Sequence, residues 1–282
     1  MKFTTRELLI VSSILISINF SVNADTLSNV KSVLANLNGD SALNVQFTSA
    51  HTESRGKSED DNDEKDTKSE HGLISLPLSY NHNGLQITYN KDILDKIAKE
   101  EAQKEQNEDA STPTLSAMSR IESSDILEKM SSASSLLRFI NKAKLAAEKQ
   151  IKHQGGSATE LQFDVPLESV ITGKEARGYV DEFEGQYRLV VDSQGVPIES
   201  KLTFAGSGSA YVFFSLEMEQ TSTSKYQVLG NRLINTSQVY ARKQSSTFGN
   251  NESSGEQTLT IIANDLIDNS QDNIEVGSCK KS

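Results

Sequence analysis

The chain is predicted to fold as α+β: a curved antiparallel sheet, an unclosed-barrel-like meander, packed against an inserted helical segment. Three observations predict it. From Leu161 onward, short runs alternate apolar and polar residues with turn signals between them, and strands so close in sequence pair antiparallel because parallel pairing needs a long crossover. Between Lys91 and His153 the apolar spacing changes to the helical period. A single cysteine, Cys279, provides no internal disulfide, so packing and strand pairing must hold the fold.

Lys2 and Arg6 precede the apolar run Leu8 to Ile18, and Val22-Asn23-Ala24 follows it, which is the pattern of a secretory signal cleaved after Ala24. The run is at the short end for a membrane helix and is broken by serines; a lipoprotein would need a cysteine where Asp25 stands. A periplasmic or secreted location is expected, without stable membrane insertion after cleavage. The predicted organisation is a signal peptide over 1–24, one α+β domain over 25–263 and a flexible tail over 264–282. Within the domain lie an acidic loop at 56–71 and a helical insert at 91–154. Cys279, in the tail, is read either as a free thiol or as one half of an intermolecular disulfide.

Leu27, Val30, Val33, Leu34 and Leu37 recur at helical spacing and stop at Asn38-Gly39, which suits a C-terminal cap. Leu43, Val45 and Phe47 then alternate as a strand, as do Ile74, Leu76, Leu78 and Tyr80. Asn83-Gly84 turns the chain into Leu85, Ile87 and Tyr89, because these residues tolerate a positive φ. Pro77 lacks an amide donor, so its strand is expected at an edge or bulged there. Ile93, Leu94, Ile97, Ala98 and Ala102 line one face of a helix whose other face carries Lys96, Lys99, Glu100 and Lys104. Asp125 and Glu128 read as a capping box, opening an apolar stripe of Leu127, Met130, Leu137, Ile140, Ala147 and Ile151 that Gly155-Gly156 closes. The serines at 131–135 allow two helices there.

Later strands are marked by Leu161 to Val165, Tyr187 to Val191, Ile198 to Phe204, Val212 to Met218, Tyr226 and Val228, Leu233 to Tyr240, and Leu259 with Ile261. Turns are expected at Asp192 to Gly195, at Gly206-Ser207-Gly208 and at Gly230-Asn231. At Tyr211 to Phe214 both parities are apolar, which predicts a central strand covered on both faces.

Composition excludes some partners. A net charge of −11 repels nucleic-acid phosphates and anionic membranes. In the acidic run Glu59 to Glu70, a calcium-loop frame would put Glu64 where the sharp turn needs glycine, so the run reads as a solvated connection and no metal is expected. His51, His71, His82 and His153 have no metal-ligand spacing, Ser207 and Ser209 do not form a nucleophile elbow, and Gly56-Lys57-Ser58 lacks the opening glycine of a phosphate loop. No catalytic motif is visible, and no cofactor is expected. Asn235-Thr236-Ser237 and Asn251-Glu252-Ser253 match the glycosylation sequon.

In element order the chain resembles the periplasmic lipoprotein carrier (outer-membrane lipoprotein-sorting) superfamily. The resemblance is carried by the opening helix leading into Leu43-Asn44-Val45-Gln46-Phe47-Thr48 and by the hairpin from Gly72 to Asp92. It also resembles exported bacterial proteins of uncharacterised role through Leu85-Gln86-Ile87, Asp192 to Pro197 and Gly230-Asn231-Arg232-Leu233. The chain has no Trp, and no residue matches the basic one that gates the carriers' cavity. The resemblance implies export and a shared fold but no activity; a long curved sheet with helices on one face can leave an apolar cleft between the layers. The expected role is a soluble binding protein for a hydrophobic or acyl-chain ligand, with Leu137, Ile140, Leu189, Phe214 and Leu216 as its candidate binding residues. The alternative is a periplasmic interaction or assembly protein without a small-molecule ligand.

Overall fold

A computed structural model describes residues 24–56, 68–171, 173–210 and 214–262. The predicted signal sequence up to Asn23, the acidic run from Glu59 to Asp66 and the tail with Cys279 lie outside the described residues.

Alternating sequences give ten strands: β1 (Leu43–Gly56), β2 (Lys68–Asn81), β3 (Gly84–Ile87), β4 (Lys144–His153), β5 (Gly156–Asp164), β6 (Val180–Val191), β7 (Pro197–Ala210), β8 (Phe214–Leu229), β9 (Arg232–Ser246) and β10 (Gly249–Ile261). They form one unclosed, curved sheet in the order β3-β2-β1-β10-β9-β8-β7-β6-β5-β4, antiparallel throughout. The helices are α1 (Ala24–Asn36), α2 (Lys91–Gln106), α3 (Pro113–Met118), α4 (Ser123–Met130), α5 (Ala133–Lys142) and the single turn α6 (Lys174–Arg177). None of the described helices is long and apolar enough to cross a membrane.

Period-two burial along β1 decides which face the helices cover. Leu43, Val45, Phe47, Ser49, His51 and Glu53 all point inward, opposite Tyr80, Leu78, Leu76 and Ile74 of β2 and opposite Ile261 and Leu259 of β10. Ile93 of α2, Ala117 of α3 and Ile126 and Met130 of α4 close over them as one apolar cluster. A second cluster joins Val30 and Leu34 of α1 and Leu136 and Ile140 of α5 to Leu161, Phe163 and Leu189. Each Val, Leu, Ile, Phe or Met side chain among them contributes about 1.5–3 kcal/mol by leaving water. Arg232 is buried beside the first cluster, its guanidinium 4.7 Å from the Tyr80 ring and donating to the Ser41 carbonyl at 2.8 Å.

Several expectations need correction. The helical insert ends at Lys142, and Lys144–His153 is strand β4. Gln154 and Gly155 both have positive φ (48° and 85°), so these two residues make a tight hairpin turn from β4 into β5, which Gly156 opens, and no helix is capped there. The serine-rich junction separates α4 from α5, and Glu122 occupies the N-cap of α4 without a side-chain bond, so Asp125 and Glu128 form no capping box. Glu100, expected on the solvent face of α2, is buried.

Gly206-Ser207-Gly208 runs inside β7. A Cβ on Gly208 would stand 2.4 Å from the Tyr179 carbonyl, so glycine is needed there for close backbone approach. The central strand expected at Tyr211 to Phe214 falls on positions 211–213, which lie outside the described residues; β7 and β8 pair on either side of them, with Ala210 opposite Phe214. Tightening is also seen at Gly39, where a Cβ would collide with the Asn231 side chain; the glycine serves packing there.

Other readings hold. Asp192 Oδ1 accepts the amides of Gln194 and Val196, with Gly195 at φ +85°, and Gly230 at φ +60° turns β8 into β9. The expectation for Pro77 holds only in part: β2 lies between β3 and β1 and has no bulge there, but the β3 ladder ends at Leu78↔Ile87, and the Pro77 carbonyl accepts from the Thr88 amide at 3.0 Å, so the donor it lacks faces the side where that pairing stops.

Candidate functional site

The α4–α5 segment does not pack flat on the sheet. Between it and the inner face of β6 to β9 lies a cleft of about 370 Å³. Register builds its floor: Tyr187 pairs with Leu202 and Leu202 with Ser222, while Ser200 pairs with Ser224 and Ser224 with Gln238. A bulge between Lys225 and Tyr226 then brings Tyr226 opposite Asn235, so that Asn235 and Gln238, three residues apart, line the same cleft. The roof is Asp125, Glu128 and Lys129 of α4, Ser132, and Ser135, Leu136 and Phe139 of α5.

Hydroxyls and amides dominate the floor. Ser200 Oγ and the Tyr226 hydroxyl share a hydrogen bond at 2.8 Å, Asn235 donates to Ser224 Oγ at 3.2 Å, and Gln238 donates to Ser222 Oγ at 3.1 Å. Lys129 donates across the cleft to Gln238 Oε1. Two polar atoms are left over. The Tyr187 hydroxyl lies close enough to Ser200 and Tyr226 to interact with both, but those two bond each other and it makes no hydrogen bond of normal geometry; Asn235 Oδ1 has no partner, although these residues are only 7% and 8% exposed. Burial raises the pKa of both tyrosines, so both phenols stay neutral donors. The Phe139 and Tyr187 rings, 4.4 Å apart at their centroids, make the apolar end.

The structure does not gather the five sequence-predicted binding residues. Ile140 and Leu189 are fully buried in the second cluster and Leu137 packs against it, so these three belong to the core. Leu216 lines a different, apolar cavity of about 170 Å³ under Val170, Ile171 and Tyr179. Phe214 opens β8, opposite Ala210, and its side chain lies outside those described. Leu136 and Phe139, each one residue away from a predicted position on α5, are the ones that line the cleft. A signal for the floor was present: Ser200 interrupts the inward parity of Ile198, Leu202 and Phe204. Asn235 was visible only as a sequon, but its amide donates inward to Ser224; that of Asn251 donates to Glu53.

A second buried polar cluster sits under α3. Glu53 is ion-paired with Arg120 through Oε2 and with Arg55 through Oε1 at 2.9 Å, and His51 shares a hydrogen bond with Ser116 at 2.9 Å. Burial, then the Arg120 charge, lowers the His51 pKa, so the imidazole is held neutral. On the uncovered face, Glu182, Glu184, Glu217, Glu219 and Glu252 flank a broad trough whose one lysine is Lys243. The described residues contain no group of three or more acidic, histidine or cysteine side chains arranged to hold a metal. Comparison of the chain with protein-family models, curated proteins and solved structures finds no match.

Proposed function

We propose that the protein is an exported binding protein that holds a small ligand, with an apolar body and a hydrogen-bonding group, in the helix–sheet cleft. The observation that carries this is the pair of buried polar atoms, Tyr187 hydroxyl and Asn235 Oδ1, in residues that line the cleft, neither of which makes a hydrogen bond of normal geometry to the protein. Buried polar groups are nearly always bonded, and leaving one unmade costs about 1–3 kcal/mol. A ligand that offers an acceptor to Tyr187 and a donor to Asn235 satisfies both, while Leu136, Phe139 and Leu202 take its apolar part. The floor's hydroxyls favour such an amphiphile over a plain acyl chain. Export is supported by the leader pattern up to Ala24. Assembly through strand edges is less well supported, because edge strand β4 carries Lys144, Lys149 and Lys152, charges that discourage strand addition.

Native mass spectrometry of protein purified from its own host tests the proposal. A copurifying small molecule is expected, and Ser135→Trp at the cleft should remove it while leaving the circular-dichroism spectrum of the folded protein unchanged. A ligand-free mass for the wild type, or a bound molecule retained by the variant, would count against it.

A further inference from the structure

Helix α4 turns Lys129 into the cleft, where the residue is only 8% exposed. Its amine meets an amide oxygen, Gln238 Oε1, and no ion pair to a carboxylate is formed among the described residues. Asp125 and Glu128, on the same helix, favour its charge, and from the sheet it faces only the neutral Gln238, Ser222 and Tyr226 lining. A lysine kept for structure is ordinarily paired or reaches water. This one has no carboxylate partner, donates only to an amide oxygen, and lines the same cleft as Tyr187 and Asn235.

We propose that Lys129 holds a carbonyl-bearing ligand, an aldehyde or ketone, in the cleft as a reversible imine. The proposal rests on the cleft being a ligand site. The Nζ lone pair adds to the carbonyl carbon, forming the C–N bond and a carbinolamine; the carbonyl oxygen then leaves as water with the two protons of the amine, giving C=N. Atoms and electrons balance without oxidant or reductant, and water reverses the step. Burial lowers the amine's pKa from 10.5 to about 8, so the neutral, nucleophilic fraction near pH 7 is roughly 300-fold larger than for an ordinary lysine. Ser200, Tyr226 and Tyr187 lie along the floor as hydroxyls for the carbonyl oxygen while it is still attached.

The probe is 4-hydroxybenzaldehyde, equimolar with the protein at pH 7.4, reduced in place with cyanoborohydride and mapped by peptide mass spectrometry. The adduct at Lys129 is expected to exceed that at exposed Lys225 and Lys243 at least tenfold and to vanish in Lys129→Arg. Labelling of Lys129 at or below those lysines overturns the proposal. In the wild type, 4-hydroxybenzyl alcohol, which has the ring but no carbonyl, should protect Lys129, a result that needs no folded variant; absence of protection overturns the assignment of the adduct to the cleft. If calorimetry shows the alcohol binding wild type but not Ser135→Trp while Lys129 stays unlabelled, the imine falls and the cleft reading stands. If neither probe engages the cleft, both fall.

Discussion

The carboxylate of Glu100 in α2 accepts the backbone amide of Thr114 at 3.1 Å, with its second oxygen taking the Leu115 amide at 2.9 Å. Helix α3 has no side-chain cap of its own at Thr112, so a buried charge on the preceding helix binds its free N-terminal donors. Helical spacing assigns Glu100 to the lysine-rich face of α2, whereas tertiary packing turns it onto α3. Replacing it with alanine should destabilise the fold by about 1–2 kcal/mol. Urea unfolding of Glu100→Ala with an unchanged midpoint would show that α3 is capped otherwise.

Glu53 offers a test of which ion pair matters. Arg120 binds Oε2, while Arg55, largely exposed, shares Oε1 with Asn251. Arg120→Ala strips one buried carboxylate oxygen and should cost about 1–3 kcal/mol or more. Arg55→Ala should cost less than about 1 kcal/mol, because its exposed end is screened and Asn251 remains on the same oxygen. Equal losses in the two variants would mean that Glu53 is not buried as described.

His51 makes stability depend on pH in a defined direction. Burial and the nearby Arg120 lower its folded pKa below the ordinary 6.5, so below pH 6.5 the unfolded chain binds the proton that the folded one resists. Its contribution is therefore fully present above pH 6.5 and is lost as pH falls through the folded value. Denaturant unfolding at pH 7.5 and 5.5 should show a larger loss for the wild type than for His51→Gln, which keeps a polar partner for Ser116. The opposite order would contradict a neutral buried imidazole.

Core and cavity positions should separate cleanly. Ile140, 1% exposed and packed among Leu136, Leu161 and Leu189, should lose about 2–5 kcal/mol on truncation to alanine. Leu216, half-buried beside a cavity that already lacks packing on one side, should lose markedly less. Thermal unfolding of the two variants checks this, and a larger loss at Leu216 would show that the cavity is filled in the folded protein.

Strand alternation was legible wherever one face meets the core, as in Leu43-Val45-Phe47 and Ile74-Leu76-Leu78, because period two is a local consequence of the pleat. Helix propensity misled at Lys144–His153, whose residues favour a helix in isolation; pairing with β5 through the Gln154–Gly155 turn prevails there. The same competition explains Gly206 and Gly208, which resemble a turn but lie in a strand because another segment's backbone passes over them.

Local chemistry alone determined the fold class, the antiparallel pairing, the absence of an internal disulfide and the acidic surface, since each depends on residue type, spacing or count. The cleft was decided only by the folded chain. Lys129 meets Gln238, 109 positions away in sequence, and Tyr187, Ser200, Tyr226 and Asn235 come from four strands whose register and one bulge place them together. Periodicity reports which face of an element is buried; what that face meets depends on long-range packing, and a polar residue on an inward parity becomes meaningful only when its neighbours are in place.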